Sequence, residues 1–359
     1  MEGRKMCLLG FLVSLVLMRV VGGAEVKGLA SCNFPAAYNF GDSNSDTGAA
    51  SAAFGPLQPP NGQTFFGKPA GRSCDGRLII DFIAEELGIS YLSPYLDSVG
   101  SNFSHGANFA YGGSTIRRQT WINSNPFHLA VQTTQFSELK ARTFDIYSQG
   151  KDMSRLLRPE DFSKALYTLD IGQNDVYISM FGAPPSVIPE MINNFTAAVQ
   201  GLYDQGGRAF WIHNIGPNGC LPAAQLNILN RTQETFDKNG CINRWNERVM
   251  EFNRQLKDRV IKLRAELPEA AITYVDVYTA KYNLISNAKN LGFTEPLKQC
   301  LVGTKDGKVA AICDNPSTYI SWDGMHYTEA ANHFVAKSII NGSLSDPPVS
   351  IANACHKNV

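Results

Sequence analysis

No two cysteines in this 359-residue chain stand at C-x-x-C spacing, which argues against a zinc site. Gly112-Gly113 is no phosphate loop, because the G-x-x-x-x-G-K spacing is missing there, and the chain has no G-x-S-x-G elbow of the kind that mounts the serine of α/β-hydrolases. Internal repeats, low-complexity tracts and a linker between two cores are also missing. So is an excess of charge: 32 basic side chains face 32 acidic ones, leaving no electrostatic footprint for nucleic acid or an anionic membrane. After the first residues, no segment is apolar enough to span a bilayer.

What is present begins with a leader. Arg4 and Lys5 precede the apolar run from Cys7 to Met18, and small residues then lead to Gly22-Gly23-Ala24. The pattern predicts a signal peptide over 1–24 and a single secreted domain over 25–359. Sequons at Asn102, Asn194, Asn230 and Asn341 suit that route as glycosylation sites. Cys7 leaves with the leader, so seven cysteines remain (32, 74, 220, 241, 300, 313 and 355) and at least one has no partner within the chain.

Short apolar runs over 36–40, 165–172, 208–216 and 270–278 end at glycine or follow proline and read as buried parallel strands. Between them lie helical patterns. The clearest runs from Trp245 through Val249, Phe252, Leu256, Val260 and Leu263 to Leu267 and stops at Pro268. Residues 186–205 and 326–340 are helical in pattern too. Such alternation predicts a doubly wound α/β sandwich, with chemistry beyond the carboxyl ends of its strands.

One of those ends carries Phe40-Gly41-Asp42-Ser43-Asn44-Ser45-Asp46-Thr47-Gly48. As a calcium loop starting at Asp42 it fails, because Thr47 and Ala53 occupy the positions that need glycine and a bidentate glutamate. As a plain turn it is ordinary. As a nucleophile mount it needs a base and a group to orient that base. Of six histidines, only His326 has an acid, Asp323, three residues before it. His213, near a strand end, reads as a hydrogen-bonded structural histidine, His333 as a helix residue, and His105, His128 and His356 as solvated or local. Asn174, in Ile171-Gly172-Gln173-Asn174-Asp175, can offer a side-chain amide to a developing oxyanion, and Gly112-Gly113 a bare backbone N–H. Asp42 and Asp175 read as turn and strand-end supports rather than a glycosidase pair.

In this order, the Ser43 block, Asn108-Phe109-Ala110-Tyr111-Gly112-Gly113, the Asn174 block and Trp322-Asp323-Gly324-Met325-His326 resemble the four blocks of the GDSL esterase/lipase family, within the SGNH hydrolases. The resemblance spans nearly the whole mature chain, including Gly71-Arg72, Asp75-Gly76-Arg77 and the run from Tyr327 to Asn332. It is strongest toward the plant secreted branch of early-nodulin-like proteins and acetylesterases. It implies a three-layer α/β/α sandwich on a mostly parallel, flavodoxin-like sheet. It also implies Ser43 as nucleophile, His326 as general base and acid, and Asp323 as its orienting group. The oxyanion donors would be the backbone N–H of Ser43, that of Gly113 (with Gly112 as the alternative) and the Asn174 side chain. The substrate would be a small-molecule or glycan ester, with no metal or cofactor. An acyltransferase would use the same triad, and a silent glycan-binding or defence protein would keep the fold without the chemistry.

Two departures concern cysteine. The stretch from Cys300 to Cys313 is short, with Gln299 where relatives often pair a cysteine, and Cys74 stands where another residue is expected. Cys220–Cys241 and Cys300–Cys313 each close a short segment outside the predicted strands and are expected bridges. Cys32–Cys74 is the third expectation, leaving Cys355 as the odd thiol.

Overall fold

The computed structural model describes residues 30–119, 125–184, 186–228, 234–303 and 309–357. The leader and Asn230 lie outside them. Ser31–Val359 forms one compact unit.

Five strands run parallel because helices carry the chain back across the sheet each time. They are β1 (Ala37–Gly41), β2 (Gly106–Asn108), β3 (Leu166–Asp170), β4 (Ala209–His213) and β5 (Ala271–Val275). After them come β6 (Glu295–Gln299), β7 (Leu301–Gly303), β8 (Val309–Ile312), β9 (Tyr319–Ser321) and β10 (Ser345–Asp346). The main sheet has the order β10-β5-β4-β3-β1-β2, and only β10 is antiparallel. Without that edge the order is the 2-1-3-4-5 of flavodoxin-like sheets.

Period-two alternation divides the strand side chains between two cores. Tyr38, Phe40, Tyr167, Leu169, Phe210, Ile212, Ile272 and Tyr274 face one core. Against it pack α3 (Leu129–Ser148), α5 (Val187–Asp204) and α7 (Asn243–Glu266). Ala37, Leu166, Ala209, Trp211 and Val275 face the other, with α2 (Ile79–Glu86), α8 (Val277–Ser286) and α9 (Glu329–Ile340). The predicted helix over 326–340 therefore begins at Glu329. Thr328 caps it by accepting from the Ala331 N–H, so His326 sits in the turn before the helix. Short helices α1 (Ala49–Phe54), α4 (Gln173–Ser179) and α6 (Pro222–Leu226) line the end of the sheet where β1 and β3 finish. Among the described residues no helix is long and apolar enough to cross a membrane.

Cys220–Cys241 and Cys300–Cys313 are bridged. The third bridge corrects the sequence reading. Cys32 joins Cys355, not Cys74, because the two ends of the domain lie side by side, with the Cys32 N–H donating to the Ala352 carbonyl. Cys74 is the free thiol, buried between α2 and α9 with its sulfur near the Asn332 amide. Burial and the neighbouring Asp75 raise its pKa, which keeps it protonated and inert. Iodoacetamide should therefore modify Cys74 only in denaturant, whereas Cys32→Ser with Cys355→Ser should lower stability by about 2–5 kcal/mol. Alkylation of Cys74 in the native protein, read by peptide mapping, would contradict this placement.

Candidate active site

Strand β1 delivers its last residues to a tightly held loop. A side chain at Gly41 would collide with the Ser45 hydroxyl at 2.2 Å and the Asp170 carbonyl at 2.7 Å, so only glycine fits. The Gly41 peptide is clamped on both sides by buried Gln132 of α3, whose oxygen accepts from its N–H at 2.9 Å and whose amide donates to its carbonyl at 2.8 Å. Asp42 then turns the chain by accepting from the Asn44 backbone and side chain at 3.0 and 2.9 Å. Asp46 accepts from the N–H groups of Gly48, Ala49 and Ala50, at the start of α1, and from Gly112 at 2.8 Å. Buried Arg72 donates to the Thr47 carbonyl while paired with Asp81.

The second loop, 108–117, is held as firmly. Asn108 donates to the Ser45 carbonyl and to the Thr47 hydroxyl. Asn174, in the first turn of α4, donates one amide hydrogen to the Ser114 carbonyl at 2.8 Å, leaving the other to reach outward. Buried Asp175 accepts from the Ile116 and Arg117 N–H groups, and burial pushes its carboxyl up to about 7. The Gly112 N–H, the alternative oxyanion donor, is committed to Asp46.

The third loop arrives from β9. Asp323 Oδ1 accepts from the N–H groups of Met325 and His326, the Trp322 N–H donates to the His326 carbonyl, and the Trp322 indole donates to Asn61. In this turn His326 Nδ1 lies 2.6 Å from Asp323 Oδ2, and His326 Nε2 lies 2.7 Å from Ser43 Oγ. Donation from Nδ1–H to the carboxylate leaves the Nε2 lone pair facing the serine hydroxyl. Burial would lower the His326 pKa, but the Asp323 charge and hydrogen bond outweigh it, helped by Asp42 and opposed by Lys281, and the net direction is upward. Burial would raise Asp323, yet the charge of His326 and its hydrogen bonds bring it down.

Ser43, Asn174 and His326 share a cavity of about 30 Å³ with Asn44, Gln173, Tyr177, Gly216, Pro217, Asn218, Leu221, Lys281, Met325 and Tyr327. Serine, base and an amide donor around one small cavity are what acyl transfer needs. The family model described as GDSL-like Lipase/Acylhydrolase matches residues 38–339. The chain belongs to that family. Membership sets the reaction class as carboxylic ester hydrolysis. A GDSL esterase/lipase of Arabidopsis thaliana is 52% identical over 370 residues, covering 96% of this chain and 94% of the relative. The GDSL esterase/lipase ENOD8 of Medicago truncatula is 42% identical over 374 residues, covering 96% of each. An Arabidopsis protein named Alpha-L-fucosidase 3 is 47% identical over 342 residues, covering 87% of this chain and 91% of the relative.

The remaining histidines stand apart from this family site. His213 is buried at the end of β4, 3.6 Å from Asp170, beyond hydrogen-bonding distance, so the expected hydrogen bond is absent. His333 lies on α9 against Phe82, and His105 is exposed with its ring near the Pro35 carbonyl. The sequence reading missed Gln132, Arg72 and Lys281. Gln132 shows no local signal in its helix, whereas Arg72 lies in a quoted block. Asp46→Ala strips four N–H groups of their shared acceptor, so it should cost about 3 kcal/mol and lower kcat, because Gly112 moves with it. An unchanged Tm would show that Asp46 does not hold these loops.

Proposed function

We propose that this chain is a secreted serine hydrolase that removes acetyl or other short acyl groups from glycans, glycosides or small alcohols through an acyl-enzyme. The hydrogen-bonded line Asp323–His326–Ser43 carries this reading. As Ser43 Oγ attacks the ester carbonyl, its proton passes to His326 Nε2, and Asp323 stabilises the imidazolium that forms. The tetrahedral oxyanion is received by the N–H groups of Ser43 and Gly113 and by the Asn174 amide. His326 then returns the proton to the departing alkoxide, and water repeats the sequence to free the acid and Ser43. The cavity volume of about 30 Å³ has room for two or three water-sized positions, which suits an acetyl-sized group.

Three disulfides suit an oxidising compartment, and with the leader they support secretion after loss of residues 1–24, with 25–359 as one hydrolase domain. Asn102, Asn194 and Asn341 are exposed, as glycan acceptors must be, and Asn230 is proposed with them. Glycosidic cleavage, the activity in one relative's name, requires two carboxyl groups facing the bond. No carboxylate is among the described residues lining this cavity, since Asp42 and Asp175 are buried behind it.

Ser43→Ala should abolish ester cleavage in a folded, secreted protein, and an organophosphonate should form a stoichiometric adduct on Ser43. Retention of most activity would remove the serine mechanism. Asn174→Ala should lower kcat about 10²–10³-fold with little change in KM, because the amide acts on the transition state rather than on bound ester. A fall in melting temperature with turnover per folded molecule preserved would leave Asn174 a structural residue only. His326 must be neutral to accept the proton, and its pKa lies above the ordinary 6.5. The kcat/KM for an uncharged ester should therefore fall as pH drops through a midpoint above 6.5, measured on protein whose active fraction is titrated with the phosphonate.

A further inference from the structure

Beneath the proposed nucleophile lies a buried charge cluster that the ester-cleaving steps do not use. Asp42 directly follows β1 and Asp170 ends β3, and the Asp42 N–H donates to the Asp170 carbonyl. Asp42 Oδ2 is buried with no hydrogen-bond partner among the described residues. Lys281, from the second turn of α8, enters the same region with only 4% of its surface exposed. Its stem crosses the bare α-carbon of Gly216, where a side-chain carbon would stand 2.6 Å from the lysine Cδ. Its ammonium lies 4.7 Å from the centre of the Tyr327 ring. It lines the cavity together with Ser43 and His326.

A buried lysine is costly unless opposite charge compensates it. Here burial pulls its pKa down and sets the net direction, while Asp170 and Asp42 compensate in part. The arrangement meets a difficulty specific to this site. His326 faces Asp323 from its own turn and Asp42 from the β1 loop, and both carboxylates favour the imidazolium. A histidine held protonated is no base, and Asp42, itself raised to about 7, adds to the pull of Asp323 as it ionises. Lys281 acts on His326 in the opposite sense to these two carboxylates.

We propose that Lys281 is a positioning residue for ester cleavage, a buried cation that offsets Asp42 and Asp170 beneath Ser43 and keeps His326 in its neutral, proton-accepting form. The proposal rests on the serine-hydrolase reading. It assigns a purpose to Gly216, whose missing side chain makes room for the lysine stem, and a compensating charge to Asp42, whose Oδ2 has no hydrogen-bond partner among the described residues. Asp170 belongs to the same cluster and has His213 on its other side.

The test is the pH profile of kcat/KM for an uncharged acetyl ester, on protein quantified by phosphonate labelling of Ser43. Lys281→Met keeps the length of the stem and removes the charge. Its acid limb should move to higher pH by about 0.5–1 unit, read as a three- to ten-fold loss on that limb and recovery at alkaline pH. Asp42→Asn removes an anion and should move the limb to lower pH. Gly216→Ala, which displaces the lysine without deleting it, should shift the limb in the direction of Lys281→Met by a smaller amount. Limbs that stay in place in whichever of these variants label normally would overturn the proposal while leaving the serine mechanism standing. Loss of phosphonate labelling from the unmodified enzyme would sink both.

Discussion

The 2.7 Å contact between Ser43 Oγ and His326 Nε2 joins groups 283 residues apart, and much of the surrounding structure serves to hold it. Neither partner sits in regular secondary structure: one follows β1 and the other precedes α9. Loops move more than the elements they connect, so each must be tied at several points to keep a contact this short. The serine loop is tied by Gln132, Asp46 and Arg72, the histidine turn by Trp322 and Asp323. A third set joins the two sides. Asp75 accepts from the Glu329 N–H at the start of α9, and the Glu329 carboxylate accepts from Arg77. The block containing Asp75 and Arg77 is thus a clamp between two chain segments and contributes nothing to the cavity lining.

Much of this tying is done by carboxylates accepting backbone N–H groups. Asp42, Asp46, Asp75, Asp175 and Asp323 each do so. An aspartate can gather several donors around one point, which a neutral acceptor cannot match. The cost is desolvation, and burial raises Asp42 and Asp175 to about 7. A carboxyl whose folded pKa exceeds its unfolded 3.8 binds protons more tightly when folded. Its contribution to stability is greatest below 3.8 and declines as pH rises toward 7. In the proposed mechanism His326 works in the opposite sense, gaining function as it loses its proton. These two aspartates favour a mildly acidic medium while the proposed base favours a more alkaline one, so activity and this part of the stability would pull apart with pH.

The sheet was legible in the sequence because its strands are buried on both faces and read as unbroken apolar runs, with glycine at the ends where the chain turns into the site. The strand β2 was not, since Gly106–Asn108 is three residues long and held by pairing to β1 rather than by its own composition. The helix α3 was missed for a related reason. Its sequence is mostly polar, with a narrow inward face of Leu129, Gln132, Phe136, Leu139 and Thr143, so the apolar period is interrupted by the residue that clamps Gly41. Ser43, Asn174, Asp323 and His326 were visible through short motifs whose spacing is set by single turns. The third disulfide was not, because Cys32 and Cys355 are brought together by the closure of the whole domain, and no local spacing records that.

Lys281 shows the same limit from the side of electrostatics. On α8 it occupies an ordinary position between Ala280 and Tyr282, and a lysine in a helix is by default a solvated residue. Its burial follows from three separate placements. The turn at Gly216 offers no side chain, Tyr327 presents a ring face, and Asp170 ends β3 beside Gly41, the residue before Asp42. Parallel strands place their carboxyl ends together, so Asp170 at the end of β3 and Asp42 just past the end of β1 gather carboxylates beside Ser43. In the proposed arrangement a cation from the next layer offsets them without taking a place in the triad. The charge balance of such a site is thus a property of the assembled sheet, written across β1, β3 and α8 and in none of them alone.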